Sequence, residues 1–96
     1  MALRKNKYSE TLVKAKKILA DNIYTLSLRG KVYRRIIPSK SFYVHQWNWD
    51  SATHAMATVY FDEDLALDEI RSLVSGQWKN GMIPHIVFNP KEKIYF

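Results

Sequence analysis

No cysteine occurs among the 96 residues. That removes disulfide staples, thiolate zinc sites and cysteine nucleophiles together, and it fits a reducing compartment. Nor does any apolar run approach the roughly 20 residues that span a bilayer, so no membrane partner is expected. Behind the basic Leu3-Arg4-Lys5, the polar stretch Asn6 to Glu10 stands where a secretory signal would carry its apolar core. A cytoplasmic location is the expectation. Histidine is scarce, with three in the chain: His45 and His54 are unsuitably spaced for a metal pair, and no carboxylate completes a ligand set. Neither a metal nor a cofactor is expected. There is no internal repeat and no low-complexity tract.

What is present reads as a folded segment of one domain at most. The chain is 47% hydrophobic, 14% aromatic and 25% charged, which are not disorder values. Its net charge of +6 is unevenly placed: residues 1–40 hold 11 Lys/Arg against 2 acids, whereas residues 41–96 hold 4 against 7. The basic portion raises nucleic acid or an acidic surface as a partner. A solvated lysine-rich helix face explains it more simply.

Apolar residues at Leu12, Ala15, Leu19, Ile23 and Leu26 predict a leading helix that starts at Ser9-Glu10 and ends at Gly30. Residues 31–49 carry no helical period and predict an extended segment followed by a loop. A second helix is predicted from Asp50 or Ser51, both good caps, with Ala52, Ala55, Met56 and Val59 inward. The acidic cluster Asp62-Glu63-Asp64 ends it and starts a third helix, since carboxylates favour a helix N-terminus. That helix turns Ala66, Ile70, Leu73, Val74 and Gln77 inward and closes at Gly81, while Asp68 and Glu69 fall on its polar face. The two helices make an antiparallel αα-hairpin across residues 51–79.

The unusual stretch is Phe42-Tyr43-Val44-His45-Gln46-Trp47-Asn48-Trp49-Asp50-Ser51. Sugars pack their C–H faces on aromatic rings and need carboxylate or amide partners for their hydroxyls. Trp49 beside Asp50 offers a wall and an acceptor, although an aspartate there also serves as a helix cap and a tryptophan as a core plug. Gln77 on an inward stripe must find hydrogen-bond partners. His85 follows in the segment Gln77-Trp78-Lys79-Asn80-Gly81-Met82-Ile83-Pro84-His85, either as a ligand contact or as a loop hydrogen-bonder.

These segments, in this order, resemble successive motifs of six-hairpin glycoside hydrolases: the loop Tyr43 to Ser51, the helix around Ala66-Leu67-Asp68-Glu69, and the run Gln77 to His85. The mannosylglycerate and glucosylglycerate hydrolases look most similar, with relatives among processing α-glucosidases and glycogen-debranching-like enzymes. The resemblance covers about residues 9–90 and only the first part of the family's domain. It implies an all-α fold, with residues 1–96 as the N-terminal fragment of an (α/α)6 toroid made of a leading helix, a long aromatic loop and one αα-hairpin. It further implies a carbohydrate ligand. Trp49 and Asp50 would hold the sugar in the −1 subsite, Tyr43 and Trp47 would line the pocket toward the aglycone, and Gln77 and His85 would reach in from the rim. The general acid and base are expected beyond Phe96. Partners would be the remaining hairpins of the toroid, or a second copy through exposed apolar faces.

Two other readings compete. A small basic nucleic-acid-binding protein would interleave cations with stacking aromatics on one surface, but here the lysine-rich helix and the tryptophan loop occupy separate stretches. A helical-hairpin interaction module explains the helices and leaves the tryptophans unexplained.

Overall fold

The structure, a computed structural model, describes residues 7–28 and 30–93. Seven elements follow in order: α1 (Ser9–Asp21), β1 (Ile23–Leu28), β2 (Lys31–Ile36), β3 (Gln46–Trp47), α2 (Asn48–Thr58), α3 (Glu63–Val74) and β4 (Ile86–Val87). The chain is therefore not all-α, and the all-α toroid fragment implied by the resemblance is corrected to three helices with two antiparallel two-stranded sheets. The basic N-terminal portion holds the main error. Ile23 and Leu26 continue the helical spacing, yet α1 stops before Asn22, whose side-chain amide donates back to the Ile18 carbonyl at 3.0 Å. The β-favouring Tyr24-Thr25 then leads into β1. Gly30, with φ +80, sits in the connection between β1 and β2 rather than behind a helix. A positive φ suits either position, so its presence alone does not discriminate between them.

β1 and β2 pair in register from Ile23↔Ile36 to Leu28↔Lys31, and β2 packs on α3. The core lies between this β-hairpin and the helical hairpin: Leu26, Ile36, Ile37, Val44, Ala55, Leu65, Ala66, Leu73 and Val87 are buried. α1 contributes no buried residue.

The αα-hairpin forms as the sequence predicts, with shifted ends. Trp47 rather than Asp50 or Ser51 is the N-cap of α2, which places Trp49 and Asp50 in its first turn. Asp62 caps α3, its carboxylate accepting the Leu65 N–H at 3.0 Å, an arrangement that contributes about 1 kcal/mol. Its inward stripe is Leu65, Ala66, Glu69, Ser72 and Leu73. Ala55 is buried as expected, but Ala52, Met56, Val59, Ile70, Val74 and Gln77 are exposed. An apolar groove lined by Ala52, Met56, Val59, Leu67 and Ile70 thus opens on the outer side of the hairpin. No helix among the described residues is long and apolar enough to cross a membrane.

α3 ends at Val74, one turn before Gln77, and Gly81 (φ +92) shapes a following loop instead of closing the helix. At Gly76 the chain passes close to β4: a Cβ there would lie 2.9 Å from Val87 Cγ2 and 3.4 Å from Pro84 Cγ. Valine is stiff and cannot swing away. Gly76→Ala is therefore expected to lower unfolding stability by about 1–3 kcal/mol in urea titrations, the usual cost of overpacking.

Candidate functional site

The first turn of α2 brings the aromatic segment and the 84–87 segment together. β3 pairs with β4 through Gln46↔Val87 and Trp47↔Ile86. The ladder is extended by the Asn48 N–H, which donates to the His85 carbonyl at 2.9 Å, and by the Asn48 side-chain amide, which donates to the Pro84 carbonyl at 3.2 Å. These bonds satisfy a donor that a helix start leaves open. Because Gly76, just past the end of α3, lies so near Pro84 and Val87 that a Cβ there would crowd both, the start of α2 and the end of α3 meet the same segment. The hairpin thereby brings the Asp50 end and the Gln77 end to one side.

Rings cluster around this junction. Tyr43 meets Trp47 edge-on with centroids 5.8 Å apart, and Phe42 meets Tyr43 at 5.1 Å. His45 lies between Trp47 at 5.7 Å and Phe88 at 5.0 Å. The Asn89 N–H donates to His45 Nδ1 at 3.0 Å, so that nitrogen is the acceptor.

Each residue singled out in the sequence has a definite position. Tyr43 is exposed and Trp47 half-buried, while Trp49 is 74% exposed in the first turn of α2. Asp50 is half-buried, and its carboxylate takes no hydrogen bond or ion pair among the described residues. Gln77 does not lie inward on a helix; it is exposed and donates its side-chain amide to the Gly81 carbonyl at 2.8 Å, bracing the loop. His85 is exposed and engages α2 through its backbone. No group of three or more His, Asp or Glu side chains among the described residues could hold a metal ion.

Sequence reasoning missed what lies beneath. Glu69, assigned to a polar face, is fully buried and accepts the backbone N–H of Ile36. The Gln46 amide donates to the Glu69 backbone carbonyl at 3.2 Å and reaches its carboxylate at 3.5 Å, while the Ser72 hydroxyl donates to Gln46 Oε1 at 2.8 Å. Burial pushes the Glu69 carboxyl up to about 7, with the Ser51 hydroxyl, the Ile36 N–H, Gln46 and the charge of Arg35 pulling the other way. The Ser51 hydroxyl faces this carboxyl outside hydrogen-bond geometry. Arg35 is also buried, its three guanidinium nitrogens have no hydrogen-bond partner among the described residues, and desolvation holds its pKa below the ordinary value. His54 Nδ1 lies 3.1 Å from the Ile36 carbonyl, which can only accept, so that nitrogen carries the proton. Burial lowers the His54 pKa. The available signal was spacing: Glu69 stands three residues from the apolar Ala66 and four from Leu65 and Leu73, and Ser72 stands three from Glu69.

Comparison with known proteins assigns the class. A family model described as the mannosylglycerate hydrolase MGH1-like glycoside hydrolase domain matches residues 43–95, more than half of the chain. The chain belongs to this glycoside hydrolase family. It is 38% identical over 91 residues to mannosylglycerate hydrolase MGH1 of Selaginella moellendorffii, an alignment covering 92% of the chain and 16% of that protein. It is also 46% identical over 59 residues to a mannosylglycerate hydrolase of Rubrobacter radiotolerans, covering 62% and 13% respectively. To a glucosylglycerate hydrolase of Mycolicibacterium hassiacum it is 48% identical over 46 residues, covering 48% and 10%. The chain thus spans about a sixth or less of the length of these relatives. No solved structure matches it significantly.

The Glu69 carboxyl generates a pH dependence with a definite sign. Its folded pKa lies above the unfolded one, so the folded state holds the proton more tightly. The resulting stabilisation is complete below the unfolded value of 4.5 and is lost as pH rises through about 7. The Glu69 contribution to stability, read by chemical denaturation as the difference in pH slope between the wild type and Glu69→Gln, should fall by about 3 kcal/mol between acid and mildly alkaline pH, while the lowered His54 pKa acts in the opposite direction. Glu69→Gln should flatten that slope.

Proposed function

We propose that this chain is a sugar-binding segment of an enzyme that hydrolyses the O-glycosyl bond of glucosylglycerate, mannosylglycerate or an α-glucoside, and that its own carboxylates are not the catalytic acid and base. The observation that carries the reading is the pairing of Trp49 with Asp50 in the first turn of α2, inside the region matched by the family model. An exposed indole offers a wall for the apolar face of a sugar, and an uncommitted carboxylate beside it offers an acceptor for two hydroxyls. Tyr43 and Trp47 line the same approach toward the aglycone, and Gln77 and His85 border it from the loop after α3. The substrates named for the relatives supply the class of ligand.

The remaining acids suit other work. Inverting hydrolysis needs two carboxyl groups roughly 6.5–9.5 Å apart across a water. Asp62 is a helix cap 3.6 Å from Arg34 Nη1, Asp68 is held by Arg34 Nε at 3.1 Å, and Glu69 is buried. The outer groove between α2 and α3 is the surface through which the segment packs against the rest of such a hydrolase or, in isolation, against a second copy. The cysteine-free composition suits a cytoplasmic location.

Hydrolysis assays of the 96-residue chain on glucosylglycerate, mannosylglycerate and simple α-glucosides should show background rates alone. Turnover abolished by changing Asp62 or Asp64 would overturn this assignment of the carboxylates. In a full-length relative, Asp50→Ala at the matching position is expected to raise the barrier in kcat/KM by about 2–3 kcal/mol, the loss of a charged hydrogen bond to a sugar hydroxyl.

A further inference from the structure

The buried polar cluster beneath the aromatic segment takes no part in the sugar contacts proposed above, yet it holds Gln46, from which the segment carrying Trp47, Trp49 and Asp50 continues. Glu69 reaches from α3 to the last residue of β2 through the Ile36 N–H, and to the first residue of β3 through Gln46. Ser72, one turn further along α3, fixes the other end of the Gln46 amide. Gln46 is wholly buried, so its polar atoms must find partners inside the protein. Its backbone is paired with Val87. Both the side chain and the backbone of Gln46 are therefore held. The next residue, Trp47, is the N-cap of α2, and Trp49 and Asp50 follow within one helical turn. The direction of that first turn is inherited from Gln46.

We propose that Glu69 is a positioning residue, acting with Ser72 through Gln46 to orient Trp47, Trp49 and Asp50. Its importance for sugar binding rests on the functional reading above, whereas the positioning itself does not. Every element packed around the carboxyl contributes a group facing it or its partner Ile36. Arg35 comes from β2, with Tyr24 of β1 beside it. Ser51 and His54 come from α2, the latter bound to the Ile36 carbonyl. The neighbouring Asp68 is taken up by Arg34 and does not compete. Among the described residues Arg35 is the one cation directed at Glu69, and its guanidinium makes no hydrogen bond. Loss of the Glu69 proton therefore places a charge in a site with little to neutralise it; the Ile36 N–H and the Gln46 amide favour the charged form, but the cost of desolvation is larger, and the packing of α3 against β2 and β3 loosens.

Amide hydrogen exchange on the sugar-free 96-residue chain tests the proposal. In Glu69→Ala and Ser72→Ala, residues 45–50 should exchange about tenfold or more faster than in the wild type, beyond any change in β1, β2 and the centre of α3. Glu69→Gln, which keeps the shape and removes the titration, should retain protection. In the wild type, protection of residues 45–50, corrected for intrinsic exchange, should fall between about pH 5 and about pH 8, and Glu69→Gln should abolish that fall. Exchange at 45–50 that matches the wild type in both alanine variants, or that rises only in step with the whole chain, would overturn the proposal. So would a pH-independent wild type. If Glu69→Ala does not fold, Ser72→Ala and the wild-type pH series decide alone. An inert Asp50→Ala in a full-length relative would remove the sugar reading and leave the exchange result standing.

Discussion

One carboxylate placed where water cannot reach it organises this molecule. Burying a charged or polar group costs several kcal/mol unless donors surround it. Glu69 gathers donors from Ile36 and Gln46, residues that lie 33 and 23 positions away along the chain. Meeting that demand draws the β-hairpin and the aromatic segment onto α3 together. The apolar residues around it, Ile36, Ile37, Leu65 and Leu73, supply the driving force for collapse, but burial of that kind is non-directional. The polar contacts set which strand residue faces which turn of the helix.

The division of labour among the acids follows from placement. Asp62, Glu63 and Asp64 at the start of α3 complement the helix dipole. Asp62 and the mid-helix Asp68 hold Arg34 of β2 and tie the two halves of the chain by charge, while the neighbouring Glu69 is internal. Asp50, at the start of the neighbouring helix, is left with its carboxylate uncommitted among the described residues, beside an indole that the fold does not bury. An exposed tryptophan and an unused carboxylate side by side contribute little to stability.

The helical hairpin was legible because its signals are local: an acidic cap, short apolar spacing, and a turn that cannot continue a helix. Of the β-hairpin, the extended segment after Gly30 was legible and is β2, whereas β1 was not, since Ile23, Leu26 and Gly30 satisfy a helical pattern as well as a strand-turn pattern. The choice is made by packing against α3, which the sequence of residues 22–36 does not contain. The inward face of α3 was misassigned for a related reason. Ile70 and Val74 are apolar but lie on the outer groove, while Glu69 and Ser72 are polar and lie inside. Hydropathy alone reverses the two faces. The gathering of Trp49, Asp50 and the loop after α3 at one end was readable from the antiparallel hairpin. The specific ladder that fixes it, Asn48 to Pro84 and His85, was not, because β3 and β4 are too short to carry a strand pattern.

The β3–β4 ladder is short, but it closes a loop of roughly 40 residues that contains the whole helical hairpin. Joining the ends of a flexible loop of that length costs about 3 kcal/mol of chain entropy, growing only slowly with length. Two paired positions and the two Asn48 hydrogen bonds offset little more than that, and the buried Gln46 side chain adds its bonds to Glu69 and Ser72. The helical hairpin, with its sequence-adjacent contacts, can form before the loop closes and persist after it opens. The ladder then acts as a latch on a preformed spring: the aromatic end assembles last in folding and is the first region released, with α2 and α3 still in place.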